Sequence, residues 1–207
     1  MGAIVVLASC GRIGFDAGSD ARGDGVGTGS EGTNPLDCPN IGDVCADGTI
    51  YAGLTPDGNV RMYTQATVTD NNDPWSFGVG NPPVMAVLTG MSNPVTGAAN
   101  TAALSLGGAY QDADSGAPGI QKHDSANYCT DLASNGHTDW YLPAYDELRV
   151  LADNQVAIGG FTPDEYWASN EDSDCPTDCA MAIEFPSGAQ SSFRNKYDYR
   201  ALRCVRK

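Results

Sequence analysis

Six cysteines constrain the fold of this 207-residue chain more than any other feature: Cys38, Cys45, Cys129, Cys175, Cys179 and Cys204. A seventh, Cys10, stands apart near the start. An even set downstream of an export-type leader points to disulfides made in an oxidising compartment. Six cysteines allow about fifteen pairings. Proximity favours Cys38–Cys45 and Cys175–Cys179, each closing a short loop, and leaves Cys129–Cys204 to join positions far apart in the chain. In the chain-entropy model that long closure stabilises by about 4 kcal/mol, the short ones by less. The rival is a metal site on Cys175, Cys179 and a histidine. Its spacing fits no strong zinc pattern, and His123 and His137 lie far off, so no metal is expected there.

Residues 1–10, ending Leu7-Ala8-Ser9-Cys10, resemble a bacterial lipoprotein signal with its lipobox. Such a signal implies lipidation of Cys10 and a membrane anchor through buried methylenes. No Lys or Arg precedes the apolar run, which fits a true start further upstream. Gly11 follows the cysteine in place of an Asp, which favours the outer membrane, facing outside. Residues 11–36 are Gly, Ser, Asp and Thr with almost nothing apolar after Phe15 and read as a flexible tether. Residues 37–207 are the expected domain.

The formal net charge is −15, which excludes a general nucleic-acid binder. Six of the eleven basic residues, Arg194, Lys196, Arg200, Arg203, Arg206 and Lys207, fall in the last fourteen. They form either an anion-binding face or, more in keeping with a terminal strand, partners for acidic neighbours.

Thr49–Gly53 and Arg61–Gln65 read as a hairpin around Pro56-Asp57-Gly58-Asn59. Residues 69–119 lack periodicity, with Trp75 and Phe77 as anchors and one helical turn at Asn100–Leu104, so this stretch is functional or made of small elements. Asp124–Ser134 reads as a helix closed by Asn135-Gly136. Thr138–Leu142 reads as a short buried strand with Trp140 and Leu142 on one face, and Pro143 opens a second helix carrying Leu148, Leu151 and Ala152. Tyr166–Ser169 is the next strand, followed by an acidic loop at Asn170–Asp178. Ala180–Phe185 is a half-buried strand, and Leu202–Arg206 is the last.

Cys129-Thr130-Asp131-Leu132, Gly136-His137-Thr138-Asp139-Trp140-Tyr141-Leu142-Pro143, Glu147-Leu148, Tyr166-Trp167-Ala168-Ser169, Gly188 and Arg203-Cys204-Val205-Arg206 occur in this order. Together they resemble the C-terminal domain of the Lcl (collagen-like adhesin) family, over about residues 38–207. The resemblance implies an α+β, C-type-lectin-like domain: two short helices flanking a small antiparallel sheet, loop-rich and disulfide-stapled. It also implies a disulfide from the first helix to the last strand, in agreement with Cys129–Cys204. Two departures stand out. Ala144 replaces the usual helix N-cap Ser, at a cost of roughly 1 kcal/mol, and no collagen repeat precedes the domain.

Function is expected to be recognition without chemistry. No nucleophile motif or Ser–His–Asp order is readable, and the cysteines sit where structural bridges would, so the chain is not read as an enzyme. The Glu-Pro-Asn, Gln-Pro-Asp and Trp-Asn-Asp triplets of calcium lectins do not occur. No cofactor is expected, Ca²⁺ aside: Asn170–Asp174 and Gln111–Ser115 carry enough hard oxygens to hold it. The binding residues are expected to be Asn170, Glu171, Asp172, Asp174, Phe193, Arg194, Asn195, Tyr197 and Tyr199, with Tyr and Arg supplying contact area at low entropic cost. Trp140 and Trp167 are read as core.

The expected partner is an extracellular glycan or protein. The alternative is self-association as a structural protein of the envelope or an extracellular fibre. A lesser one is a retroelement-diversified receptor, since Asn170, Asp172, Ser173, Asp174, Ser191, Ser192, Asn195, Tyr197, Asp198 and Tyr199 are the residue types such variable segments use.

Overall fold

The computed structural model describes residues 37–65, 71–78, 88–111 and 118–207. The leader and tether expected over 1–36 lie outside the described residues, as do Asp112–Ser115 of the second candidate calcium loop and the side chain of Phe77.

The first hairpin forms as its turn chemistry dictates. Strands β1 (Thr49–Leu54) and β2 (Arg61–Gln65) pair antiparallel from Thr49↔Gln65 to Leu54↔Arg61, and Asn59 takes the left-handed φ of +53° that the turn requires. The stretch 69–119, which showed no periodicity, holds or begins short elements: β3 (Asn71–Pro74), β4 (Phe77–Gly78), α1 (Gly97–Ser105), β5 (Gly108–Gln111) and β6 (Pro118–Lys122). The expected turn at Asn100–Leu104 is the middle of α1. Helix α2 (Asp124–Asp131) stops short of the expected Ser134. Asn135 (φ +55°) and Gly136 (φ +76°) make a separate tight turn, which bridges Ser134 to His137 instead of capping the helix.

Residues 138–142 are extended but pair with a strand only at the Tyr141↔Val205 bridge, with the Leu142 main chain bonded instead to the Thr101 hydroxyl of α1, so the expected strand is a single ladder contact. Helix α3 (Tyr145–Asp153) follows, then the short α4 (Gln155–Ile158). The Ala144 N–H at its start is capped from within the helix, donating to Glu147 Oε2 at 3.0 Å.

Strand β7 (Glu165–Glu171) runs two residues into the expected acidic loop. Strand β8 (Cys179–Glu184), paired between β7 and β9 (Gln190–Asn195), is buried on both faces, not one, because α3 covers one face of the sheet and α1 and α2 the other. Strand β9 is polar and gave no alternation to read. The expected terminal strand is two: β10 (Tyr199–Leu202) and β11 (Val205–Arg206) belong to different sheets.

Among the described residues the architecture is α+β, with four helices and three sheets. The largest sheet, β3-β10-β7-β8-β9, is mixed rather than antiparallel, since β10 runs parallel to β7. Alternation along β7 and β8 divides the core. Tyr166, Ala168, Met181 and Ile183 pack with Leu148 and Leu151 of α3, while Trp167, Ala180 and Ala182 pack with Leu104 of α1 and Ala126 and Cys129 of α2. Trp140 and Leu142 join the second cluster and Tyr141 the first, the alternation expected of an extended segment. Trp75, Trp140 and Trp167 are all buried.

Three disulfides close the fold: Cys38–Cys45, Cys129–Cys204 and Cys175–Cys179, with Cα–Cα distances of 4.9, 5.5 and 5.3 Å. The last two sulfurs are thus bonded to each other and hold no metal as thiolates. Asp37 lies near Cys38 and Cys45, but their sulfurs are spent in a disulfide too.

Candidate functional site

The end of β7 carries polar residues in a place that burial would ordinarily forbid. Glu171 is buried, yet its carboxylate has three donors: Lys196 Nζ at 2.5 Å and the Thr89 N–H at 2.7 Å on Oε1, and the Gly90 N–H at 3.0 Å on Oε2. Gly90, at φ +77°, allows the tight turn that aims both amides at one carboxylate. Lys196 is itself fully buried. It also donates to the Pro176 carbonyl at 2.7 Å and lies 4.7 Å from the Trp75 ring centroid. Burial pulls its ammonium pKa below the usual value, against the opposing pull of Glu171. This ion pair ties the residue after β9, the end of β7 and the 88–91 segment into one unit.

Beside that unit lies an open groove of about 460 Å³, within the size range of small-molecule sites. Its walls come from four parts of the chain: Leu88 to Pro94, Tyr145 at the start of α3, Met181 of β8, and Ser173 with Pro176 from the disulfide loop. Asn170 and Glu171 form the floor. Tyr145 is held in place, its hydroxyl donating to Gln190 Oε1 and accepting from Arg149 Nη2, each at 3.1 Å. The Cys175–Cys179 bridge closes the loop that carries Pro176. The groove is thus a preformed, largely apolar cleft with a neutralised carboxylate and one amide at its base.

A family model for the Lcl C-terminal domain matches residues 91–206, more than half of the chain. The chain belongs to this family. No curated protein matches it. In this Lcl C-terminal domain the match begins at Met91. The β1–β2 hairpin therefore lies outside the matched stretch, although β2 pairs directly with β11.

The Lcl domain brings together only some of the residues expected to bind. Asn170 and Glu171 line the groove, but from a strand end and not from a loop. Asp172 is buried behind it. Its Oδ1 accepts the Asp174 N–H and its Oδ2 the Phe193 N–H, both at 3.0 Å, so its oxygens serve the loop. Asp174 is exposed at the loop tip.

Phe193, 60 % exposed, is held through that bond at a φ of +58°, a conformation rare for an aromatic residue. Arg194 pairs with Glu165, as does Arg200. Asn195, Tyr197 and the 68 %-exposed Tyr199 lie at the β9–β10 turn, outside the groove lining. All six clustered basic residues have partners: besides those named, Arg203 donates to the Gly160 carbonyl, Arg206 to Asp139 and Lys207 to Asp57. Five of the six meet an acidic neighbour, as that reading of the C-terminal charge expects, and Arg203 meets a backbone carbonyl.

Tyr145, Met181 and the 88–94 wall were not foreseen as site residues. The one sequence signal for the wall was the long aperiodic stretch that contains it.

Proposed function

We propose that the chain is an exported, lipid-anchored recognition module, tethered through Cys10 to the outer membrane and facing outside, that binds an extracellular glycan or protein without catalysing a reaction. The observation that carries this reading is the groove at the end of β7, whose walls are fixed by a buried ion pair, a disulfide and a doubly hydrogen-bonded tyrosine. Rigid, preformed surfaces bind without an ordering cost. The C-type-lectin-like form of the domain belongs to the same proposal. It is supported by the disulfide from α2 to the terminal segment and by two helices packed on opposite faces of one sheet. Ca²⁺ is not needed for binding in this reading, since the oxygens of Glu171 and Asp172 are already engaged.

The test is to display the oxidised domain on glycan and protein arrays, with and without EDTA, alongside surface-protease accessibility of the native protein. Saturable, EDTA-insensitive binding by a surface-exposed protein supports the reading. An array without hits, or a protein sealed from external protease, overturns it.

A second reading, self-association, is favoured by the exposed Phe193 and Tyr199, which a neighbouring copy would bury. Size-exclusion chromatography of native material separates the two: a regular polymer supports assembly and a monomer recognition.

A further inference from the structure

Asn170 is 4 % exposed and stands on the groove floor. Its Oδ1 accepts the Tyr145 N–H at 2.8 Å, which fixes the orientation of the amide and leaves Nδ2 as the other end. Among the described residues Nδ2 has no hydrogen-bond partner, and it is not sealed from solvent. The charged and phenolic groups around it are engaged, while the exposed hydroxyls of Ser92 and Ser173 also line the groove. Glu171 carries three donors, and the Tyr145 hydroxyl both donates and accepts, so Tyr145 offers a ring face and not a polar tip.

The N–H groups flanking Asn170 go to carbonyls of the protein itself, Ser169 to Pro143 at 2.8 Å and Glu171 to Met91 at 2.7 Å. No free strand edge is left there for a peptide to extend by main-chain hydrogen bonds. The net charge of −15 disfavours polyanionic ligands. The base of the groove suits a neutral ligand with an apolar face and a strong acceptor for Asn170, and the two serine hydroxyls can meet the ligand's own hydroxyls.

We propose that the groove binds the acetamido group of a neutral N-acetylated sugar, whose carbonyl accepts from Asn170 Nδ2, whose methyl packs on Met181 and Pro94, and whose ring lies along Tyr145. An acetamido group combines the acceptor and the small apolar end that the groove's lining asks for, which an unsubstituted hexose lacks. The proposal rests on the recognition reading above and names the class of ligand for that site.

Titration calorimetry of the oxidised protein with N-acetylglucosamine and N,N′-diacetylchitobiose, against glucose and cellobiose, tests it. The acetamido sugars are expected to bind about tenfold or more tightly than their plain counterparts. Asn170→Asp keeps the acceptor for Tyr145 and loses the donor, so it is expected to lose about tenfold in affinity for the acetamido sugars. In the unmutated protein, the Asn170 side-chain NH₂ resonances are expected to shift on adding N-acetylglucosamine, a readout independent of how well the variant folds. Equal affinity for glucose, or unmoved NH₂ resonances at saturation, overturns the sugar assignment. If array binding to other ligands persists in that case, recognition stands and only the ligand class falls. If the arrays are blank as well, both fall.

Discussion

Lys196 shows how one residue can decide the shape of a site. Its side chain is fully buried against Glu171, which in turn holds the Thr89 and Gly90 amides. Lys196→Ala leaves a buried carboxylate without its counter-ion, and the expected loss is about 3–5 kcal/mol by chemical denaturation, with weakened binding in the groove. His123 makes a different point. It is buried edge-on to Trp75, its Nδ1 has no partner, and burial together with the nearby Lys196 charge pushes its pKa down to about 4 from 6.5. The unfolded chain takes up the proton first, so the stability this group contributes is intact above about pH 6.5. It is lost as pH falls towards 4, by up to about 3 kcal/mol. His123→Phe is expected to flatten that part of the stability–pH profile relative to the unmutated protein, as read by urea melts from pH 7 to 4. Neither role was legible beforehand. A Lys after a polar strand and a lone His give no pattern, because their partners lie 20 or more positions away.

At the scale of elements, Glu147 joins three of them. It accepts the Ala144 N–H at the start of α3, the Gly97 N–H at the start of α1 and the Tyr141 hydroxyl. Burial raises its carboxyl pKa, with these donors and Lys207 acting against it. The folded state therefore holds the proton to higher pH than the unfolded chain. The resulting stability is complete below about pH 4.5 and is lost as pH rises through the folded value. Glu147→Ala orphans buried donors and is expected to cost about 2–4 kcal/mol at neutral pH, with Glu147→Gln costing clearly less, both measured by denaturant melts. Gly97 is tied to the same contact. A Cβ there would meet Glu147 Oε2 and come within 2.5 Å of the Ala144 nitrogen, so Gly97→Ala is expected to destabilise although alanine favours helices. The sequence made α3 legible through its apolar spacing. It gave Ala144 as a defective cap, since the compensating carboxylate can be recognised only once the helix is built.

For the whole molecule, the Cys129–Cys204 bridge fastens α2 to the segment between β10 and β11, 75 positions later. Replacing both cysteines by serine is expected to cost about 4 kcal/mol, read as a lower denaturation midpoint with the other two bridges intact by non-reducing peptide mapping. The cysteine count, the hairpin turn, the helical periodicity of α3 and the family motifs were determined by sequence alone, because each depends on neighbours within a few residues or on a motif order. Tertiary structure alone decided that β8 is covered on both faces, that β9 exists, that the terminal strand divides between two sheets, and that Glu171 and Asp172 are inward-facing. Those outcomes depend on what packs against a residue from distant parts of the chain. A polar strand and a polar loop read alike until a lysine, a disulfide or a neighbouring strand satisfies the one and leaves the other to solvent.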